Sequence, residues 1–449
     1  MAQQDLTQGS VPSALAKLTA PMVMGVSSSI LVQTIEMGFI GQLSTQHVAA
    51  ITFTFPLTMV LTSIALGISI GTSSVIARSV GAGNQSEVSR LGSHSLILVG
   101  IFMTILSVLA WFSIDPLFTA MGASPEVIVL IHSYLDIYLP GTVLFTLTMI
   151  AGSIMRAAGN ANIPGVVMTL GALFNLIIDP ILIFGWLGVP RLELAGAAVA
   201  MTITRIITTG VMFYYISKGD MASFSHGLDR FMDSAKRVLH VGIPAMATQL
   251  IGPVTAAIIT AMLAQHGEIV VAGFGVAGRI ESVAAIMLFA LSGSIGPFVG
   301  QNWGAHQMDR VRKGVLTAYK FCFLYGLFTA VPLFFFGDVL SGLIDDDPTV
   351  LSTAAFYLAV VPWTYATWGM LMMASASFNA LGRPLPSTAL SFGRMFIVYL
   401  PLAWWLNSLY GYQGIFIATA LSNGIMGIVG VSLFHVRLKE MQRAHAATA

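Results

Sequence analysis

Hydrophobic residues run through this chain in long, nearly uninterrupted blocks rather than in short alternating stretches. A bilayer span takes about 20 apolar residues at about 1.5 Å each, so blocks of this length are read as membrane-crossing helices. Their continuity outweighs any alternating pattern of the kind a β-barrel requires. Twelve spans are predicted, at about 16–42, 47–76, 93–114, 127–155, 163–185, 195–217, 241–264, 269–297, 315–337, 350–377, 386–407 and 412–436. The expected fold class is an all-α integral membrane protein.

Composition agrees. Of 449 residues, 56% are hydrophobic and only 9% charged, against roughly 25% charged in soluble domains; the mean hydropathy is +0.84. This excludes a nucleic-acid binder or a membrane-surface protein and leaves the lipid bilayer as the surroundings. The net charge of +1 carries no information, because the charges are sorted along the chain. Fifteen of the twenty Lys and Arg residues fall in connectors on one side, among them Arg78, Arg90, Arg237, Arg310 and Arg383. Arg191 is alone on the other side, and Arg205, Arg279, Lys320 and Arg394 lie inside spans. The excess of cations in cytoplasmic loops therefore places both termini in the cytoplasm, and the expected location is the bacterial inner membrane. The polar first ten residues and the full-length first span predict no cleavable signal peptide. The single cysteine, Cys322, rules out an internal disulfide and a cysteine-built metal site.

The chain also repeats at an offset near 223. Pro21 in KLTAPMV matches Pro244 in HVGIPAM, and GAGNQSEVSR (81–90) matches WGAHQMDRVR (303–312). YLDIYLP (134–140), RAAGNANIP (156–164) and AGAAVAMTITR (195–205) match YLAVVPW (357–363), NALGRPLPS (379–387) and QGIFIATALSN (413–423). Two six-helix lobes in the same orientation form a parallel repeat, 1–217 and 241–449. They are joined by a polar cytoplasmic linker, 218–240, with room for a short amphipathic helix. In such repeats a substrate site is expected at the interface of the halves.

Ionisable residues inside a membrane are costly and functional by default. Glu36 lies near the outer end of the first span and Asp179 near the outer end of the fifth, with Thr202 at a similar depth in the sixth. Asn175 and Asp179 are i and i+4 and share a helix face. Pro180 has no N–H, which frees the carbonyl of Leu176. Oxygen ligands of this kind suit a proton relay or a small hard cation such as sodium, at Glu36, Asn175, Asp179 and Thr202. Thr204 is an equal rival to Thr202. Arg205 is read as an ion-pair partner more than a substrate contact. Arg279 and Glu281, at i and i+2, do not face each other and should each pair across helices; Arg394 is placed along a substrate cleft. Asp136 lies nearer the outer face and is read as hydrated. At the repeat offset Glu36 maps to Ile259, so coupling chemistry belongs to the first half.

These motifs resemble the multidrug and toxic compound extrusion (MATE) transporters over roughly residues 12–437. The resemblance rests on the proline near the start of the first span, the Gly/Ala/polar segments after the second and eighth, and RAAGN and NALGRP after the fourth and tenth. It is most similar to the DinF-like branch, in which an acid of the first span and an Asn-x-x-x-Asp pair of the fifth form the coupling site with a threonine of the sixth. Those roles carry to Glu36, Asn175, Asp179 and Thr202. Glu36 departs from the aspartate usual in prokaryotic members. The resemblance implies a V-shaped cleft, rocker-type alternating access with hinges at Pro21 and Pro180, and export of small cationic or amphipathic organic compounds in exchange for a proton, or sodium. No cofactor is expected, and the chain is expected to act as a monomer. An intramembrane enzyme is disfavoured, because no span contains HExxH or GxSxG. A lipid-linked precursor flippase of the wider superfamily is the alternative.

Overall fold

The computed structural model describes residues 5–223 and 227–448, with side chains to Arg443. Among the described residues twelve helices are long and apolar enough to cross a membrane. They are span 1 (Val11–Gly41), span 2 (Thr45–Gly81), span 3 (Gln85–Phe112), span 4 (Pro125–Ala157), span 5 (Asn162–Phe184), span 6 (Glu193–Lys218), span 7 (Phe231–Ala264), span 8 (Glu268–Gly304), span 9 (Met308–Ser341), span 10 (Pro348–Ala380), span 11 (Pro384–Tyr410) and span 12 (Tyr412–Arg443). Each predicted span corresponds to one of them. Several begin or end well beyond the apolar block, because a helix stops at a cap and not where hydropathy falls. Asn84 Oδ1, for example, accepts from the Glu87 N–H at 3.1 Å and starts span 3 eight residues before the predicted boundary. Span 10 is broken by a 3₁₀ turn at Val361–Thr364 containing Pro362, and span 11 carries a π-helical stretch at Gly393–Tyr399.

The chain divides into two compact units. One is Ala20–Met246; the other is Leu6–Thr19 together with Ala247 onward. Two helices are thus shared. Span 1 changes unit just before Pro21, and span 7 changes just after Pro244. The boundary lies inside span 7, whose first turns occupy the C-terminal part of the polar connector. A separate amphipathic helix does not form at 231–240; those residues are continuous with the span. Residues 224–226 lie outside the described residues.

Polar clamps fix the crossing segments. In the first unit, Arg237 of span 7 pairs with Glu87, which also accepts from Ser79 Oγ at 2.8 Å. His94 contacts Ser234 Oγ at 2.8 Å and the Gly227 carbonyl at 3.2 Å. In the second unit, the Arg310 guanidinium donates to the carbonyls of Gly9 (2.7 Å), Leu6 (2.9 Å) and Gln8 (3.0 Å), while its Nε donates to Asn302 Oδ1 (3.0 Å). Both clamps grow from the repeated segments 81–90 and 303–312. Small residues allow the close packing that membrane helices rely on. A Cβ on Gly165 of span 5 would lie 2.5 Å from the Pro21 carbonyl oxygen of span 1.

Candidate functional site

Span 5 presents Asn175 and Asp179 on one face, one turn apart, and Pro180 follows directly. Asn175 Nδ2 donates to Asp179 Oδ2 at 2.8 Å. Asn175 Oδ1 accepts from Thr204 Oγ1 of span 6 at 3.3 Å, and the same hydroxyl bonds back to the Ala200 carbonyl at 3.0 Å. Glu36 approaches from span 1, close enough to interact electrostatically with Asp179 and Arg205. Glu36, Asn175 and Asp179 are 6%, 6% and 0% exposed, so the three side chains are buried in this conformation. Among the described residues Asp179 Oδ1 has no hydrogen-bond partner although it is fully buried. Such an atom costs about 1–3 kcal/mol, which a proton or a cation arriving there would offset.

Thr202 takes a different direction from Thr204. Its hydroxyl donates to the Ile137 carbonyl of span 4 at 3.5 Å. Of the two threonines left open by the sequence, Thr204 is therefore the one on Asn175. Span 4 also supplies a pair that the sequence reading passed over. Tyr134 and Tyr138 stack at 5.1 Å, and Tyr134 lies within electrostatic reach of Glu36, Asp179 and Arg205. The Arg205 guanidinium sits 4.5 Å from the Tyr138 ring centroid and 5.3 Å from that of Phe145, and donates to the Tyr138 carbonyl at 3.4 Å. Arg205 is thus held by aromatic faces, a cation–π arrangement. Gly141 makes room for it, because a Cβ there would stand 2.6 Å from Thr202 Oγ1 and 3.1 Å from Arg205 Nη1. The i, i+4 spacing of the two tyrosines in YLDIY was the available signal; in an apolar helix it reads as packing.

The second unit holds a separate polar group. Glu281 accepts from the Tyr357 hydroxyl at 2.6 Å and interacts with Arg394. Arg394 in turn donates to Asn423 Oδ1 at 2.9 Å, and Asn423 Nδ2 donates to Thr364 Oγ1 at 3.3 Å. Glu281 thus pairs across helices as expected, whereas Arg279 is exposed and forms no ion pair among the described residues. Asp136 is held by Trp111 Nε1 at 2.8 Å and faces His132 Nδ1 at 3.3 Å, so it is more than hydrated.

The comparisons with known proteins agree with this architecture. The MatE family profile matches residues 21–181 and again 244–405, so the two matches begin at Pro21 and Pro244. A FAD transporter of Shewanella oneidensis is 34% identical over 92% of each chain. The multidrug export protein MepA of Staphylococcus aureus is 23% identical over 94% of this chain and 93% of its own. The crystal structure of the Vibrio cholerae MATE transporter VcmN in the bent form superposes with a TM-score of 0.92 at 29% identity, covering 97% of this chain and 99% of that one. With both halves matched and a relative above 30% identity along nearly its whole length, the chain belongs to the MatE family of multi-pass membrane transporters, which are not enzymes.

Proposed function

We propose that this protein is a secondary active exporter in which Glu36 and Asp179 exchange the coupling ion while Asn175 and Thr204 hold the geometry. The observation that carries this reading is the buried pair of carboxyls, with one oxygen of Asp179 left without a donor among the described residues. Occupation of the pair by a positive ion removes a buried charge and so favours one helix arrangement over another. An ion can shift such an equilibrium only as far as it binds the two states differently. Pro21 and Pro180 are the positions at which spans 1 and 5 yield, since each lacks the helical N–H bond. Substrates are small amphipathic organic compounds, exported across the bacterial inner membrane by a monomer with cytoplasmic termini.

A flavin dinucleotide is a second substrate reading, and the 34% identity to a FAD transporter, against 23% to a multidrug exporter, favours it. The test is export from proteoliposomes loaded separately with a fluorescent planar cation and with FAD. Gradient-driven efflux by the native protein should vanish in Glu36→Gln and Asp179→Asn while both variants still insert. Native-level efflux in either variant removes that residue from the coupling role. Whichever cargo moves assigns the substrate class, and movement of neither, with transfer of a lipid-linked precursor instead, would support the flippase.

A further inference from the structure

Away from the buried carboxyls, spans 3 and 4 enclose a cavity of about 510 Å³ that opens on the surface of the first unit. Its walls are mostly apolar, from Val108 on span 3 and Leu139, Pro140, Val143 and Leu144 on span 4; the hydroxyls of Thr104 and Ser107, which also line it, are spent on the Gly100 and Leu139 carbonyls. At one end stands a single carboxylate, Asp136. Asp136 is half exposed, and both of its hydrogen-bonding neighbours, Trp111 Nε1 and His132 Nδ1, address Oδ1. Oδ2 keeps its lone pairs for another donor. His132 Nε2 faces Asp115 Oδ1 at 3.2 Å, so two carboxylates share one imidazole. The group keeps a net negative charge whether the imidazole is neutral or protonated. A fixed anion at the head of an apolar trough is complementary to an ammonium carrying a hydrocarbon chain.

The position of the trough selects the source of that ammonium. The exposed side of span 3 around it is apolar, with Ile105 and Leu109 more than half exposed, which is a surface for lipid. Trp111 lies in the last turn of span 3, at the level where tryptophan anchors helices in the headgroup region. At that level the abundant amphipathic ammonium is a phospholipid headgroup. We propose that this trough is a binding site for an ethanolamine phospholipid, with the ammonium on Asp136 Oδ2 and one acyl chain along Leu139, Val143 and Leu144.

The test is lipid retention. The full chain is purified from nanodiscs containing equal amounts of phosphatidylethanolamine, phosphatidylcholine and phosphatidylglycerol with identical acyl chains, and bound lipid is counted by native mass spectrometry. Native protein should retain ethanolamine lipid at least about fivefold over glycerol lipid, with choline lipid lower because its quaternary head donates no N–H. Asp136→Asn should remove that preference. Val143→Trp, which fills the trough and leaves the carboxylate, should lower retention of the ethanolamine lipid as well. Equal retention of the three lipids by the native protein overturns the proposal. So does a preference that survives both substitutions, or a dimer in which the trough is covered by a second copy. The head-group comparison on native protein decides the matter even if a variant fails to fold.

Discussion

Asn175 Nδ2 lies 2.8 Å from Asp179 Oδ2 across one turn of span 5, and the amide oxygen of Asn175 accepts from Thr204. The amide therefore presents its donor to the carboxyl and its acceptor to the neighbouring helix. A donor on Oδ2 biases Asp179 to accept its proton or cation on Oδ1. Thr204→Val should disturb this more than Thr202→Val. Loss of one neutral hydrogen bond is worth about 0.5–1.5 kcal/mol, so gradient-driven efflux should fall up to about tenfold in Thr204→Val and by less than twofold in Thr202→Val. Initial rates in proteoliposomes decide it, and the reverse ranking would return Thr202 to the site.

Gly165 is a packing requirement between spans 1 and 5. Its Cβ would stand 2.5 Å from the Pro21 carbonyl oxygen and 2.7 Å from the Pro21 Cβ. Gly165→Ala should therefore destabilise by about 1–3 kcal/mol, the usual range for overpacking. Gly210→Ala, where nothing stands within 4 Å inside span 6, should leave the thermal unfolding temperature in detergent unchanged or raise it slightly, since alanine is the better helix former. Equal melting of the two variants would show that spans 1 and 5 can separate without penalty.

Much of this was legible in the sequence, and the reasons are physical. Spans announce themselves by length and hydropathy, since a bilayer tolerates no unpaired backbone. Depth was legible too: counting residues from the outer ends of spans 1 and 5 placed Glu36 and Asp179 together, and they interact. Rotation about the helix axis was not. Thr202 and Thr204 are two residues apart and nearly opposite on span 6, and only the packing of spans 4 and 5 against it separates them. Span 1 changes unit before Pro21, and Leu6 and Leu18 of the segment on the second unit are buried, which hydropathy alone does not locate.

Arg310 should hold the start of the chain on the second unit. Its guanidinium reaches three carbonyls at once, a fork that the point charge of lysine does not reproduce. Arg310→Lys should raise amide hydrogen exchange over residues 6–10 by about tenfold. Unchanged exchange would assign the docking of this segment to its apolar contacts.

Asp347 caps the start of span 10. The Thr349 backbone N–H donates to Asp347 Oδ1 at 2.8 Å, and this bond holds the carboxyl below its ordinary range. A depressed folded-state value means that the stabilising bond is present above the unfolded-state pKa and is lost as pH falls through the folded value. Exchange at Thr349 and Val350 should accordingly rise on acidification below about pH 4 and become pH-insensitive, after correction for intrinsic rates, in Asp347→Asn. Protection that stays constant down to about pH 2 in the native protein would remove the cap from the account.

The coupling ion should be the proton rather than sodium. A dehydrated hard cation needs about six oxygen ligands. The site offers fewer than its composition suggests, because the Asn175 oxygen already accepts from Thr204 and its nitrogen faces Asp179. The Thr202 oxygen is directed to Ile137 in span 4. What remains is Glu36, Asp179, the Thr204 hydroxyl oxygen and the carbonyl of Leu176 released by Pro180, with Arg205 adding a positive charge within electrostatic range of Glu36. A proton asks for one carboxyl oxygen, and Asp179 Oδ1 stands buried with no hydrogen-bond partner among the described residues. Efflux measured in sodium-free buffer against an imposed pH gradient should proceed at full rate, and a sodium gradient at equal pH should drive none. Should efflux require sodium and ignore the pH gradient, Asn175 would have to turn its oxygen to the ion, and Asn175→Asp would then raise sodium affinity instead of abolishing transport.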